Sequence, residues 1–382
     1  MQFTTKTVCR AIALALLATG AAQAEDIIRI GHVAATSGPI AHLGKDNENG
    51  ARMAVEELNA KGVVIGGKKY KIVLQAEDDA ADPKQGTAAA QKLVDAKVQG
   101  VIGHETSGTT IPASRIYYDA GIPQISPSAS NPQYTRQRYN TTFRNIANDE
   151  QLGAALARYA VQTMQVKRIA VVDDRTAYGK GLADEFIKNV KKGGGGASIV
   201  TTQFTNDKAT DFSAILTAIK ASKPDMIFFG GMDAVAGPML RQMKQLAIPI
   251  KFMGGDGMCS ESVPRLASDA MSDGQVICAE AGGVEPSQEK GMADFRIAYK
   301  KRYGIGVQTY APYTYDALMT MVDAMQQAGS PEPARYLPVL ARIKHKGVTG
   351  NIAFDARGDV KDGVLTIYTF KDAKRYKLTV MK

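Results

Sequence analysis

The sequence predicts an α/β protein of two doubly wound, Rossmann-like lobes joined by a hinge that the chain crosses more than once. Three observations carry this reading. Short β-branched runs alternate with helical periods at βαβ spacing from residue 27 to 144. The same alternation restarts at 149 and continues to 253. The remaining C-terminal third holds one strand, three helices and two further strands, too little for a third domain, so it completes the earlier lobes. The expected division is 25–148 with 279–360 in one lobe and 149–278 with 361–382 in the other. Repeated crossings make a hinge, and closure of such a hinge about a ligand is a known transition.

The first 24 residues stand apart from this pattern. Lys6 and Arg10 precede an apolar run at 11–22, and Ala22-Gln23-Ala24 is a small-x-small cleavage site, so the segment reads as a secretory leader removed after Ala24. The run is too short to span a bilayer comfortably. The expected location is therefore the periplasm. Cys9 precedes the apolar run, which makes it a poor site for a lipid anchor.

In the first lobe, 27–33 reads as a β-branched strand, 34–44 as the loop after it and 48–60 as a helix closed by Gly62. Residues 70–76 alternate as a strand does, and Pro83 opens a helix reaching 96. Two buried-looking runs follow, 98–102 and 122–125, each ending in small hydroxyl residues: GHETSGTTIPAS after the first and ISPSASNP after the second. In the second lobe a helix at 149–164 leads to a strand at 168–172, and a helix near Tyr178 ends in the glycine run 193–196. Strands at 199–204, 226–229 and 251–253 alternate with helices from 211 and 234. A strand at 275–279, helices at 288–302, 311–328 and 333–346, and strands at 351–354 and 364–370 complete the chain.

Charge and cysteines narrow the function. The whole chain carries 47 basic and 38 acidic residues, net +9, and loss of Lys6 and Arg10 with the leader leaves +7. The basic residues are dispersed and form no stripe with aromatics, which excludes a nucleic-acid partner. Cys259 and Cys278 remain after cleavage, an even number in an oxidising compartment, and are expected to bond. Spacing alone leaves two unpaired thiols as the alternative.

Catalytic and cofactor motifs are absent. His32, His42, His104 and His345 form no metal-ligand pair. GPIAHLGK at 38–45 has one residue too many between its glycines, and Asp46 stands where a P-loop needs Ser or Thr. No dinucleotide glycine motif and no nucleophile elbow occurs. Asp78 and Asp79 end a strand, where neighbours point to opposite faces, so they make a weak acid/base pair. No cofactor, metal or enzymatic activity is expected.

Binding groups are easier to find. Ser107 and Ser130 stand at adjacent strand ends of the first lobe, Ser107 at a helix start whose free N–H groups suit a carboxylate. Tyr178 opens a helix of the second lobe, and Asp256 in GGDG follows a strand of the same lobe. Neutral donors in one lobe and an acid in the other suit a zwitterion, hence an amino acid. Taken singly, each of these residues is equally a cap, a turn or a core tyrosine.

The stretches SGPIAHLGKDNENGARMAVEELNAKG, DDAADPKQGTAAAQKLV, VIGH, PAS, ISPSASNP, YGKGLADEF and DFSAIL together resemble the periplasmic leucine/isoleucine/valine-binding proteins of ABC importers, and the likeness covers the chain beyond its leader. The resemblance implies a type I periplasmic binding fold with three hinge crossings, a branched-chain amino acid as ligand, a membrane permease as partner and a monomeric receptor. It assigns Ser107 and Ser130 to the ligand carboxylate, the Ser128 carbonyl and Asp256 to the ammonium, and Tyr178 to the wall of the second lobe. Asp256 replaces the family's usual glutamate, and Leu43 and Met232 stand where familiar members have aromatic residues. These departures leave the side-chain preference open, and a receptor for small amides, urea or another amino acid is the alternative, with a ligand-sensing module for a signalling partner as a further one. Ala81 and Thr106 occupy positions of a first-lobe disulfide found in some relatives, so that bond is lacking here.

Overall fold

A computed structural model describes residues 26–193, 195–284 and 288–381; the expected leader and its cleavage after Ala24 lie outside the described residues. The first lobe is built on β1 (Asp26–Ala34), α1 (Ala41–Lys61), β2 (Val63–Ile65), β3 (Lys68–Asp78), α2 (Pro83–Asp95), β4 (Gly100–Gly103), α3 (Ser107–Asp119), β5 (Gln124–Ser126), α4 (Gln133–Arg136) and β6 (Thr142–Arg144). The chain then enters a second lobe through α5 (Asp149–Arg158), β7 (Arg168–Asp173), α6 (Ala177–Lys192), β8 (Ser198–Phe204), α7 (Ser213–Ala221), β9 (Met226–Gly230), α8 (Asp233–Gln245), β10 (Lys251–Gly254), α9 (Val263–Ala267) and β11 (Val276–Glu280). It returns as α10 (Glu289–Tyr303), α11 (Ala311–Ala328), α12 (Pro333–Leu340) and the hairpin β12 (His345–Lys346) and β13 (Asn351–Ile352). It ends in β14 (Leu365–Lys371) and β15 (Lys374–Met381).

The first sheet has the order β2-β3-β1-β4-β5-β6 and the second β15-β14-β11-β10-β9-β7-β8. All pairings from β3 to β6 are parallel, as are those among β7 to β11, while β2, β14 and β15 add antiparallel edges. Register aligns the carboxyl ends in the first sheet: Ala34 lies opposite Asp78, and Val33 opposite Gly103. The loops after β1, β3 and β4 therefore leave the sheet side by side, where open α/β sheets bind ligands.

Alternation along the strands explains the layers. Ile28, Ile30 and Ile102 pack against Met321, Met325 and Tyr336 on one face, while Val33 and Val101 meet Leu93 and Tyr117 on the other. In the second sheet Ile169, Val171 and Phe228 face Leu152 and Phe186, and Ala170, Val172 and Phe229 face Leu216 and Met239. Both faces are covered, so these strands read as continuous apolar runs.

Three segments join the sheets: 145–148 after β6, 281–284 after β11, and 361–364 before β14. The boundary expected at 278 falls inside β11, which continues to Glu280. Asp359 fastens the first and third segments, accepting from Arg136 Nη1 at 2.7 Å, Arg144 Nε at 3.1 Å and Asn148 Nδ2 at 3.1 Å. Burial works to raise this carboxyl, yet the guanidinium of Arg144 and the donors around it hold it down at about 2.

Some elements differ from those expected. The first helix starts at Ala41, inside the expected loop 34–44, because its polar residues Asp46 and Asn47 are buried and satisfied by distant groups. The last helix stops at Leu340, not 346. Residues 345–352 instead form a hairpin whose tip is held by Asp316, which accepts from the N–H groups of Val348 at 2.9 Å and Thr349 at 2.7 Å. The edge strands β2, β6 and β15 were not anticipated by the periodicity.

Candidate ligand-binding site

The two hydroxyl-rich loops of the first lobe are stitched together. Ser126 Oγ donates to the His104 carbonyl at 3.0 Å and accepts from the Ala129 N–H at 3.0 Å, and Ser107 Oγ accepts from the Asn131 N–H at 3.2 Å. Thr106 is the N-cap of α3 and makes no side-chain cap, so the first-turn N–H groups of Ser107 and Gly108 are left to other partners. Ser128 Oγ and Ser130 Oγ are buried and have no partner within the protein. Asp149 donates its N–H to the Ser130 carbonyl at 2.9 Å, and both oxygens of its carboxyl are buried without a partner. Burial, reinforced by the charge of Asp256, pushes Asp149 up to about 8.

The second lobe supplies a fixed carboxylate. Thr176 caps α6, its Oγ accepting from the Gly179 N–H at 2.9 Å, which presents Tyr178 in the first turn. Tyr178 Oη donates to Asp256 Oδ1 at 2.8 Å and accepts from the Gly257 N–H at 2.9 Å. Tyr310 Oη donates to Asp256 Oδ2 at 3.0 Å. Asp256 is buried, and burial lifts its pKa to about 6 against the two tyrosine hydroxyls that favour the charged form. The glycines of GGDG are required by close approach. A Cβ at Gly255 would lie 2.7 Å from Tyr178 Oη, and one at Gly257 would lie 2.6 Å from Met232 Sδ.

Tyr310 precedes α11 and is positioned by Asp46 of α1. Asp46 Oδ1 accepts the N–H of Gln308 at 3.0 Å, and Oδ2 accepts those of Thr309, Tyr310 and Ala311 at 3.0, 2.7 and 2.9 Å. One carboxylate thereby serves the unpaired N–H groups at a helix start.

An apolar cluster lies between the lobes. Ala35, Ile40, Leu43 and Tyr310 form one buried cluster, with Ala81 beside it and with Met232 and Ala234 contributed by the second lobe. Besides the Tyr310–Asp256 bond, hydrogen-bonded contacts that bridge the lobes nearby include His42 Nε2, 2.7 Å from Asp233 Oδ2, and Asn131 Nδ2, which donates to the Ala177 carbonyl at 2.6 Å. Cys259 and Cys278 are bonded, and Cys278 lies in β11 opposite Gly254, so the bond ties the turn carrying Asp256 to its sheet.

Of the residues selected from the sequence, Tyr178 and Asp256 touch directly, Met232 packs at the same turn, and Leu43 joins Met232 in the apolar cluster. Ser107, Ser128 and Ser130 share one loop pair of the first lobe, and Asp149 is held to that pair by its N–H bond to the Ser130 carbonyl. Tyr310, Asp46, Asp149 and Glu105 were missed. Tyr310, Asp149 and Glu105 lie in a helix start or loop with no motif of their own, Asp46 lies inside α1, and only the tertiary fold brings the four to the cleft.

Residues 27–374 match the family model described as periplasmic binding protein. The chain is 34% identical over 362 residues to a Leu/Ile/Val-binding protein homolog 1 of Brucella abortus, covering 93% of this chain and 94% of that protein. It is 32% identical over 355 residues to the leucine-, isoleucine-, valine-, threonine-, and alanine-binding protein of Pseudomonas aeruginosa, covering 92% of each. A branched-chain amino acid transporter substrate binding protein of Streptococcus pneumoniae, solved in complex with isoleucine, superposes with a TM-score of 0.84 at 27% identity, covering 93% of this chain and 99% of that one.

Proposed function

The chain belongs to the periplasmic binding protein family, and on that premise we propose that it is the exported receptor of an ABC-type importer, closing on an α-amino acid with a small branched aliphatic side chain and handing it to a membrane permease. The observation that carries this is the Asp256 carboxylate, buried between the lobes and steadied by the hydroxyls of Tyr178 and Tyr310. An ammonium ion is the natural partner for such a group. The ligand carboxylate goes to the Ser107 and Ser130 hydroxyls and the free N–H groups of α3, and the Ser128 carbonyl shares the ammonium. Leu43, Met232, Tyr178 and Tyr310 enclose the side chain. The lobes built on the first and the second sheet act as the two bodies of the closure, with β11 kept whole in the second, in a monomer released to the periplasm by cleavage after Ala24. Binding occurs without turnover.

Calorimetric titration of ligand-stripped mature protein tests this. Heat with leucine, isoleucine, valine, threonine or alanine, and none with acetamide or urea, is the expected result. Response to an amide or urea with silence for every α-amino acid would refute it and favour the amide alternative.

A further inference from the structure

The loop after β4 carries a carboxyl that the reading above does not use. Glu105 is 3% exposed, and its Oε2 accepts the Ala35 N–H at 2.9 Å. Its Oε1 is buried and has no partner within the protein. Ala35 belongs to the apolar cluster of Ile40, Leu43 and Tyr310 against which Met232 packs. Glu105 also interacts electrostatically with Tyr310 and, across the cleft, with Asp233 of α8. One oxygen of a carboxyl is thus left without a partner beside the cluster assigned to the ligand side chain.

Hydrocarbon is a poor neighbour for that oxygen. A buried hydrogen-bonding group without a partner costs its full desolvation, whereas a ligand group that pairs with it recovers that cost. Burial raises Glu105 well above the usual carboxylate range, and the charges of Asp79, Asp233 and Asp46 act in the same direction. A carboxyl oxygen accepts from a hydroxyl or a carboxamide N–H, and a carboxyl that takes up a proton donates as well, which matches either group.

We propose that Glu105 is a specificity-determining residue, whose free oxygen hydrogen-bonds the ligand side chain so that the receptor prefers a branched amino acid bearing a hydroxyl or amide over its hydrocarbon isostere. This rests on the α-amino-acid part of that reading and replaces its purely aliphatic side chain. Shape is not the discriminator here, because threonine matches valine in size and asparagine matches leucine. A pocket lined only by hydrocarbon separates such isosteres weakly, whereas a site built to pair with a polar group rejects the analogue that lacks it.

The test is titration of the mature protein with the pairs threonine/valine and asparagine/leucine, repeated on Glu105→Leu and Glu105→Gln. The wild type is expected to bind the polar member of each pair about tenfold tighter or more. Glu105→Leu should tighten valine and leucine and abolish or reverse both ratios. Glu105→Gln, which keeps a donor and an acceptor, should retain them. Valine and leucine binding as tightly as their isosteres in the wild type would overturn the proposal, and that comparison depends on no variant folding. Ratios unchanged in Glu105→Leu would overturn it equally, since the discrimination would then arise elsewhere. Silence for all four ligands would instead refute the amino-acid reading itself and this refinement with it.

Discussion

Acidification should weaken ligand binding through Asp256, and the size of the effect follows from its surroundings. With the lobes in contact this carboxyl is pushed up to about 6, above its ordinary 3.8, because burial outweighs the donors Tyr178 and Tyr310. An ammonium binds only the ionised form, so below that value a proton must be expelled for each ligand taken up. The apparent Kd therefore rises by a factor of about 1 + 10^(6 − pH), roughly unity at pH 7 and about tenfold at pH 5. The ligand's own carboxylate and ammonium keep their charges across this range. Asp149, the neighbouring acid, titrates near 8 and contributes at the opposite end. Titrations from pH 5 to 7.5 on wild type and on Asp256→Asn separate the cases. The variant should bind about 10- to 100-fold more weakly at pH 7, having lost a charge-assisted bond. Its affinity should also be flat with pH. A variant that binds like wild type, or that keeps the acid-side loss, would refute the assignment of Asp256 to the ammonium.

Three further outcomes are expected. Asp149→Asn should stabilise the protein: between about pH 4 and 8 the folded chain holds a proton that the unfolded chain has lost, so wild-type stability falls as pH rises through this window, by an order of a few kcal/mol. Urea midpoints that track each other in wild type and variant across that window would disprove it. Asp46→Ala leaves four N–H groups of the α11 start without an acceptor; at about 1 kcal/mol each the loss is about 4 kcal/mol, and a cost below about 1 kcal/mol by chemical denaturation would contradict it. Reduction of the Cys259–Cys278 bond, which spans a sequence separation of 19, should cost about 3 kcal/mol. It should also loosen ligand binding, because the bond fastens the Asp256 turn; unchanged melting and affinity after reduction would count against this.

Much of the architecture was legible because parallel strands buried on both faces leave continuous apolar runs, and 168–172 and 226–229 sit within β7 and β9. Legibility ended where tertiary partners override local pattern. Asp46 and Asn47 fall between the expected loop and the expected helix, yet they lie buried in α1 because the start of α11 and Thr314 satisfy them. The β14–β15 hairpin escaped notice because its turn uses Asp372 and Ala373, with φ of 49° and 56°, where glycine is usual. Within the site, Tyr178 and Asp256 were accessible from strand ends and glycine spacing. Tyr310 was not, since its role depends on a chain return more than fifty residues after Asp256. Glu105 was passed over beside its serine and threonine neighbours, because a lone acid in a loop reads as solvated until its burial is known.

The contacts between the lobes have a consequence for how strength and selectivity of capture are divided. The Asn131–Ala177 bond and the His42–Asp233 pair are made between protein groups alone. They bias the open–closed equilibrium by the same amount whichever solute is present. Weakening one, as in Asn131→Ala, lowers the closed fraction of the free receptor and multiplies every Kd by one shared factor. Ratios between solutes stay fixed, because they depend on groups that touch the side chain. The receptor can thus be tuned to the abundance of its solute by residues at the rim of the cleft, with its choice among solutes left untouched.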